Sequence, residues 1–251
     1  MKILFTLILS IAIPIVSLLG QSSTSHVKKL IKSDDLKAIS ELIANGQNIN
    51  TTFKRHETLL HYAVEYGKFD IVKFLVEQGA DMNIQGILKS TPLLIAISGA
   101  WRNDSIAEYL INKGANLNIV GLHGSTALRE SIGNGGYGQN FKIFKLLIEK
   151  GADINFQCNE CCNRTVLLYC CSWGTKEMLQ LLIDKNIDIN QTDCKGLNGL
   201  IYAIDANNID IIKMLLKTEI DLKHKDNTQR TAIDHAKKKN NKDIIELLKS
   251  I

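Results

Sequence analysis

The sequence predicts an all-α fold, a solenoid of stacked helix–turn–helix units with β-hairpin-like finger loops between them. Three observations carry this. A signature, Gly79-Ala80-Asp81-Met82-Asn83, returns as Gly114-Ala115-Asn116-Leu117-Asn118 and Gly151-Ala152-Asp153-Ile154-Asn155, with degenerate copies at 46–50, 186–190 and 219–223. A threonine follows at a fixed distance, as Thr58, Thr91, Thr126 and Thr231; Asn198 replaces it once, and Thr165 stands two residues late. An apolar stripe at helical spacing precedes each signature, as in Ile71, Val72, Leu75 and Val76. Self-similarity at a period of about 33 residues marks a repeat fold before any local propensity is weighed.

The chain opens with a different kind of segment. Met1-Lys2 precedes an uncharged run from Ile3 to Ser25, and its apolar heart, Ile3 to Leu19, reads as the core of a secretory signal at residues 1–22. Gly20-Gln21-Ser22 offers small residues at a cleavage site. A membrane anchor over residues 3–19 is the competing reading, although Pro14 interrupts the run and it is slightly short of the ~20 residues a spanning helix needs. The expectation is an exported chain, periplasmic or secreted, with no membrane insertion beyond this leader.

The repeat units follow at 25–57, 58–90, 91–125, 126–164, 165–197, 198–230 and, in part, 231–251. In each, the threonine is a natural N-cap for a first helix, because its hydroxyl accepts from an orphan backbone N–H. Small residues at Ala63, Ala96, Ala203 and Ala236 allow close helix contact. The apolar stripe forms a second helix, and Gly46, Gly79, Gly114 or Gly151 ends it, where a left-handed residue without Cβ fits. Asn186 tolerates that conformation; Glu219 does so poorly, which predicts a looser turn there. The first unit opens on Lys28, Lys29 and Lys32, as a solvated end unit should.

Thr58-Leu59-Leu60-His61-Tyr62-Ala63, repeated in phase with the glycine signature, resembles the opening motif of the ankyrin repeat. The resemblance covers residues 25–251. It implies a non-enzymatic module that binds another protein through finger loops and the first-helix face, and it gives His61 a structural role at the turn. On that implication the exposed apolar finger residues Phe53, Ile87, Leu88, Leu122 and Phe156 become partner-binding candidates, beside a basic cluster of Lys54, Arg55 and His56.

Departures from the period point to further candidates, since loops vary without touching the core. Extra residues around Gly99 to Asn103 and Gly133 to Asn140 fall between first and second helices of consecutive units. They bring Trp101, Arg102 and Tyr137, residue types enriched at binding hot spots. Gly133 to Gly138 formally matches G-x-G-x-x-G, but a helix precedes it rather than a strand, so nucleotide binding is rejected.

Cysteines give the third departure. Cys158, Cys161 and Cys162 lie in a finger enlarged by two residues, and Cys194 is in the next finger. In an oxidising compartment these four are disulfide candidates. One of the first three is expected to bridge to Cys194, with a bond inside the loop as the rival. Zinc held by the same four is the alternative, weakened because Cys194 lacks a paired cysteine of its own. Cys170 takes an alanine position and reads as core.

Catalytic chemistry has little support. His26, His56, His61, His123, His224 and His235 are scattered, and no nucleophile elbow or H-E-x-x-H occurs. No catalytic residue, metal or cofactor is expected. A net charge of +4, or +3 without Lys2, is too small and scattered for nucleic acid. The reading is an exported monomeric scaffold with a protein partner; a redox or metal role at the cysteine loop, or an effector binding host proteins, are the alternatives.

Overall fold

The computed structural model describes residues 23–98, 102–133 and 140–250. The leader, Trp101 and the glycine-rich stretch 134–139 lie outside them. Fourteen α-helices and no strand form among the described residues, which fall into two compact blocks. The first block holds residues 23–96 and 102–116, and the second 97–98, 117–133 and 140–250.

In the first block the helices come in pairs: α1 (Thr24–Lys32) with α2 (Leu36–Ala44), α3 (Leu59–Glu65) with α4 (Phe69–Glu77), and α5 (Pro92–Ile97) with α6 (Asp104–Asn112). The second block continues with α7 (Ala127–Ile132) and α8 (Phe141–Glu149), then α9 (Val166–Trp173) and α10 (Lys176–Asp184). It ends with α11 (Gly199–Asp205) and α12 (Ile209–Leu215), then α13 (Ala232–Lys238) and α14 (Lys242–Lys249). First helices pack on first helices (α1 on α3; α7 on α9, α9 on α11, α11 on α13). Second helices pack on second helices (α2 on α4, α4 on α6; α8 on α10, α10 on α12).

Helices of six to nine residues are too short to persist alone in water, so packing decides their stability. The apolar stripes supply it. Ile71, Val72 and Leu75 are fully buried, as are Ile143, Phe144 and Leu147, Met178, Leu179 and Leu182, and Ile211, Ile212 and Leu215. First helices bury their small residues, with Ala63, Ala96, Ala203, Ala236 and the alanine substitute Cys170 all at 0% exposure. Burying each such side chain stabilises by roughly 1–3 kcal/mol for the larger ones, which no unit can obtain without a neighbour.

Helix starts follow the caps read from the sequence. Thr58 and His61 form a capping box, and Thr91 and Thr126 accept from the N–H groups of Leu94 and Arg129. Asn198 replaces threonine by accepting from Ile201 N–H at 3.1 Å. Thr165 opens α9 but its buried hydroxyl has no hydrogen-bond partner, consistent with its late position. Gly79 ends α4 at φ +86°, with Ala80 N–H donating to Leu75 O at 2.9 Å. The Glu219 turn differs: α12 stops at Leu215, and Thr218 closes it by donating its hydroxyl to Leu215 O at 2.6 Å, without a left-handed residue at 219.

The Gly-Ala-Asp-x-Asn signature has a physical cause beyond its glycine. Its aspartate accepts from the N–H two residues on, as Asp81 does from Asn83 and Asp153 from Asn155, both at 2.8 Å. Its last asparagine then accepts from the next unit's backbone. Asn50 accepts from Asp81 N–H and Asn83 from Asn116 N–H; in the second block Asn118 accepts from Asp153 N–H and Asn190 from Asp221 N–H, all at 2.8–2.9 Å. The signature is a side-chain ladder that sets the stacking of successive units.

Candidate functional site

Five fingers close alike. Phe53 N–H donates to Glu57 O, Gly86 to Ser90, Gly121 to Ser125, Asp193 to Leu197 and Asp226 to Arg230, at 2.7–3.1 Å. This hairpin-type closure leaves short turns at the tips. Arg55, Leu88 and His123 sit there at φ +73°, +57° and +54°. A side chain in that region costs roughly 1–2 kcal/mol relative to an ordinary conformation, so the closing bonds and the packing beneath must hold the tip in place. The enlarged finger closes over a longer span, Cys158 N–H to Arg164 O at 3.5 Å, with Cys162 and Asn163 left-handed at its turn.

Side chains on the first helices support the fingers. Buried His61 accepts from Thr58 N–H at Nδ1 (3.1 Å), so Nε2 carries the proton donated to Ser90 O (3.2 Å). Burial lowers its pKa and outweighs the hydrogen bonds to Ser90 and Ile84, so the ring is neutral and structural, the role the sequence motif implied. In the last unit Asp234 takes over the capping box, and His235 instead contacts Asp226 Oδ2 through Nε2 at 2.8 Å. Burial pushes the Asp226 carboxyl up, but bonds from Arg230 N–H, the Thr228 hydroxyl and N–H, and His235 together hold it well below the usual carboxylate range.

Among the candidate partner residues, Leu88 is 59% and Leu122 37% exposed at finger tips. Lys54, Arg55 and His56 are exposed, and Ile87 is half-buried. Phe53 is half-buried with its ring 6.2 Å from that of Tyr62. Phe156 is half-buried at a small cleft shared with Arg129, Arg164 and Tyr169. Arg102 makes an ion pair with Asp104 (Nε to Oδ1, 2.9 Å), so part of its charge is spent at the start of α6. Trp101 and Tyr137 lie outside the described residues.

The finger cysteines separate into two pairs. Cys162 and Cys194 stand at bonding distance with Cα atoms 4.9 Å apart, and Cys194 N–H donates to Cys162 O at 2.9 Å. That pairing takes two sulfurs from a four-cysteine zinc site, and no group of three or more His, Cys, Asp or Glu that would hold a metal occurs among the described residues. Cys158 and Cys161 form the second pair. Cys170 and Cys171 are fully buried, and burial pushes both thiols up, Cys171 to about 12.

One feature escaped sequence reasoning. In the second block Arg129 stands 4.8 Å over the Tyr169 ring and Arg164 4.9 Å over the Tyr202 ring. Arg164 Nε donates to Tyr202 Oη (2.6 Å), which donates to Asp193 Oδ2 (2.8 Å), tying first helices to fingers. The signal was present: the fifth position of the opening motif is aromatic at Tyr62, Tyr169 and Tyr202. A separate open groove of 720 Å³ runs along second helices of this block, lined by Phe141, Leu181, Met214 and four lysines among others.

The family model described as ankyrin repeats (3 copies) matches residues 28–86, 79–158, 136–226 and 167–250. Putative ankyrin repeat protein FPV233 of fowlpox virus is 42% identical over 71 residues, 28% of this chain and 13% of that protein. The Drosophila melanogaster neurogenic locus Notch protein is 40% identical over 63 residues, 25% of this chain and 2% of its own length. The matches thus span a small part of these curated relatives. A solved structure, "Bd0816 Predatory Endopeptidase from Bdellovibrio bacteriovorus in complex with immunity protein Bd3460", has a chain that aligns at TM-score 0.67 and 26% identity, over 79% of this chain and 100% of its own. With paired helices, capped and laddered by a repeated motif, and a family model matching nearly all the described residues, the chain belongs to the ankyrin repeat family, whose repeats are protein–protein interaction modules.

Proposed function

We propose that the chain is an exported, monomeric, non-enzymatic scaffold that binds another protein through its finger tips, its first-helix face and its inserted loops. The observation that carries this is the finger edge. Leu88 in the first block and Leu122 in the second are exposed apolar side chains at finger tips whose turns hold a left-handed residue, and Arg55 and His56 in the first block and His123 in the second are exposed at tips of the same kind. An exposed leucine at a finger tip adds little to the core and leaves its apolar surface available to a partner. Arg129 and Arg164, half-buried over the buried rings of Tyr169 and Tyr202, extend the candidate surface along the first helices of the second block. Trp101, Arg102 and Tyr137, the hot-spot residue types carried by the two inserted loops, remain contact candidates on their sequence alone.

The partner is a protein, and the solved complex of an endopeptidase with an immunity protein supports an enzyme of the peptidase class as its kind. The apolar leader at residues 1–22 supports export. Cell fractionation with intact mass tests the location: a mature chain lacking the leader in the periplasm or medium is expected, and full-length chain in the cytosol overturns it. Affinity capture from the native source tests the surface. Leu88→Ala with Leu122→Ala is expected to lose the captured protein with the circular dichroism spectrum unchanged; retention of full binding moves the site elsewhere.

A further inference from the structure

Cys158 and Cys161 are left out of the Cys162–Cys194 pairing, and the fold has brought them together. The turn Asn159–Cys161 folds the C-x-x-C segment back, with Cys161 N–H donating to Cys158 O at 3.0 Å. Both sulfurs converge on the preceding finger. A Cβ placed on Gly124 would lie 1.9 Å from Cys158 Sγ and 3.1 Å from Cys161 Sγ, so the two sulfurs are within 5.0 Å of each other, the sum of those distances. Both thiols donate to one carbonyl, that of His123; Cys158 does so at 3.8 Å. Gly124, at φ +66°, is the residue that makes room for them.

We propose that Cys158 and Cys161 form an oxidisable dithiol site that reacts with disulfides by thiol–disulfide exchange and thereby releases the His123 finger. Cys161, the more exposed thiol, is the entry point; Cys158 is 3% exposed and resolves. Cys161 Sγ attacks one sulfur of a disulfide RSSR, forming a mixed disulfide and expelling RS⁻, which takes the Cys161 proton. Cys158 Sγ then attacks Cys161 Sγ, forming the Cys158–Cys161 bond and expelling the second RS⁻, which takes the Cys158 proton. Two cysteine thiols are oxidised, and RSSR is reduced to two RSH. Burial, with the Cys161 neighbour adding to it, pushes the Cys158 thiol up to about 11, which makes it a slow first nucleophile and suits the second step, where proximity compensates. Once the bond forms, neither sulfur carries a proton, and the His123 carbonyl loses both donors. His123 is an exposed tip residue, so the oxidation state of the pair acts on the finger edge itself.

The site does not depend on the partner-binding reading, and its test needs no partner. Full-length protein is equilibrated with buffers of reduced and oxidised glutathione, quenched in acid, alkylated under denaturing conditions and mapped by peptide mass. Beyond Cys162 and Cys194, four cysteines are free. As oxidant rises, the alkylated count among those four is expected to fall to two, with a Cys158–Cys161 linkage and with Cys170 and Cys171 unchanged. Cys158→Ser is expected to hold a lasting glutathione adduct at Cys161, and Cys161→Ser to form neither adduct nor linkage. Amide exchange across residues 121–125 is expected to quicken by roughly fivefold on oxidation, because the two weak thiol hydrogen bonds that are lost together contribute about as much as one ordinary hydrogen bond. Four free thiols at every ratio, or a lasting adduct in the unsubstituted chain, overturns the site. Unchanged exchange with the linkage formed overturns the coupling to the finger.

Discussion

The fingers of the first block and those of the second are built from the same repeat and held in different ways. In the first block, finger 86–90 depends on one buried side chain, His61, that reaches Ser90 O. Its tip carries Leu88 with most of its surface in solvent. In the second block the fingers from residue 158 onward are tied to one another. Cys162 stands bonded to Cys194, Asn227 N–H donates to Lys195 O, Asn227 Nδ2 donates to Cys194 O, and His224 Nε2 meets Gly196 O at 2.6 Å. Asp193 and Asp226 also anchor their fingers to Tyr202 and His235, nine residues on. Free tips suit contact with a partner, and braced tips suit a fixed scaffold. One repeat serves both because finger residues vary without disturbing the stripes beneath them.

Cutting the second-block brace is expected to have the largest effect. With the bond formed, Cys162→Ser with Cys194→Ser opens a loop closed over a sequence separation of 32. The loss should be about 3–4 kcal/mol on the chain-entropy estimate, read as a lower guanidinium midpoint for the second block. An unchanged midpoint would mean that the fingers, and not the sulfur bridge, hold this region.

His61→Ala is the matching cut in the first block. It removes the link to Ser90 and leaves a buried cavity, so about 2–3 kcal/mol of stability should be lost. His61→Gln should recover part of it if hydrogen bonding is the main contribution. Leu88→Ala reverses the pattern. Stability should stay within about 0.5 kcal/mol while partner affinity falls roughly tenfold. A stability loss without an affinity loss would assign Leu88 to the fold.

Asp226 gives the smallest and most pH-dependent effect. Its folded carboxyl titrates below the ordinary value of 3.8. The charged form is therefore favoured by folding, so its contribution is complete above about pH 4 and is lost as pH falls towards the folded value. Asp226→Asn should destabilise the last unit at pH 6, and the gap from the unsubstituted chain should close on acidification in urea melts taken down to pH 2. A gap independent of pH would make the loss one of shape rather than charge.

Much of the fold was legible because its causes are local and repeated. The caps at Thr58, Thr91 and Thr126, the glycine after each second helix and the buried stripes each follow from residue type at a fixed spacing. Thr165 and Glu219 were visible as exceptions, and the structure shows what each costs: an unpartnered hydroxyl at 165, and a helix closed by Thr218 before 219. The candidate site was legible only in part. Leu88 and Leu122 were readable as exposed tips because fingers lie outside the stripes. The Arg129–Tyr169 and Arg164–Tyr202 stacks were not, because each pairs residues from different units and needs the stacking to be known first. The convergence of Cys158 and Cys161 on Gly124 was hidden for the same reason.

The central claim is that a protein partner meets the free finger tips. A photo-reactive amino acid placed at Leu88 in the full chain, compared with one at Met214 in the second-helix groove, tests it in the native source. A cross-linked protein is expected from position 88 and none from position 214. Cross-linking from 214 alone would contradict it and move the binding surface to the second helices.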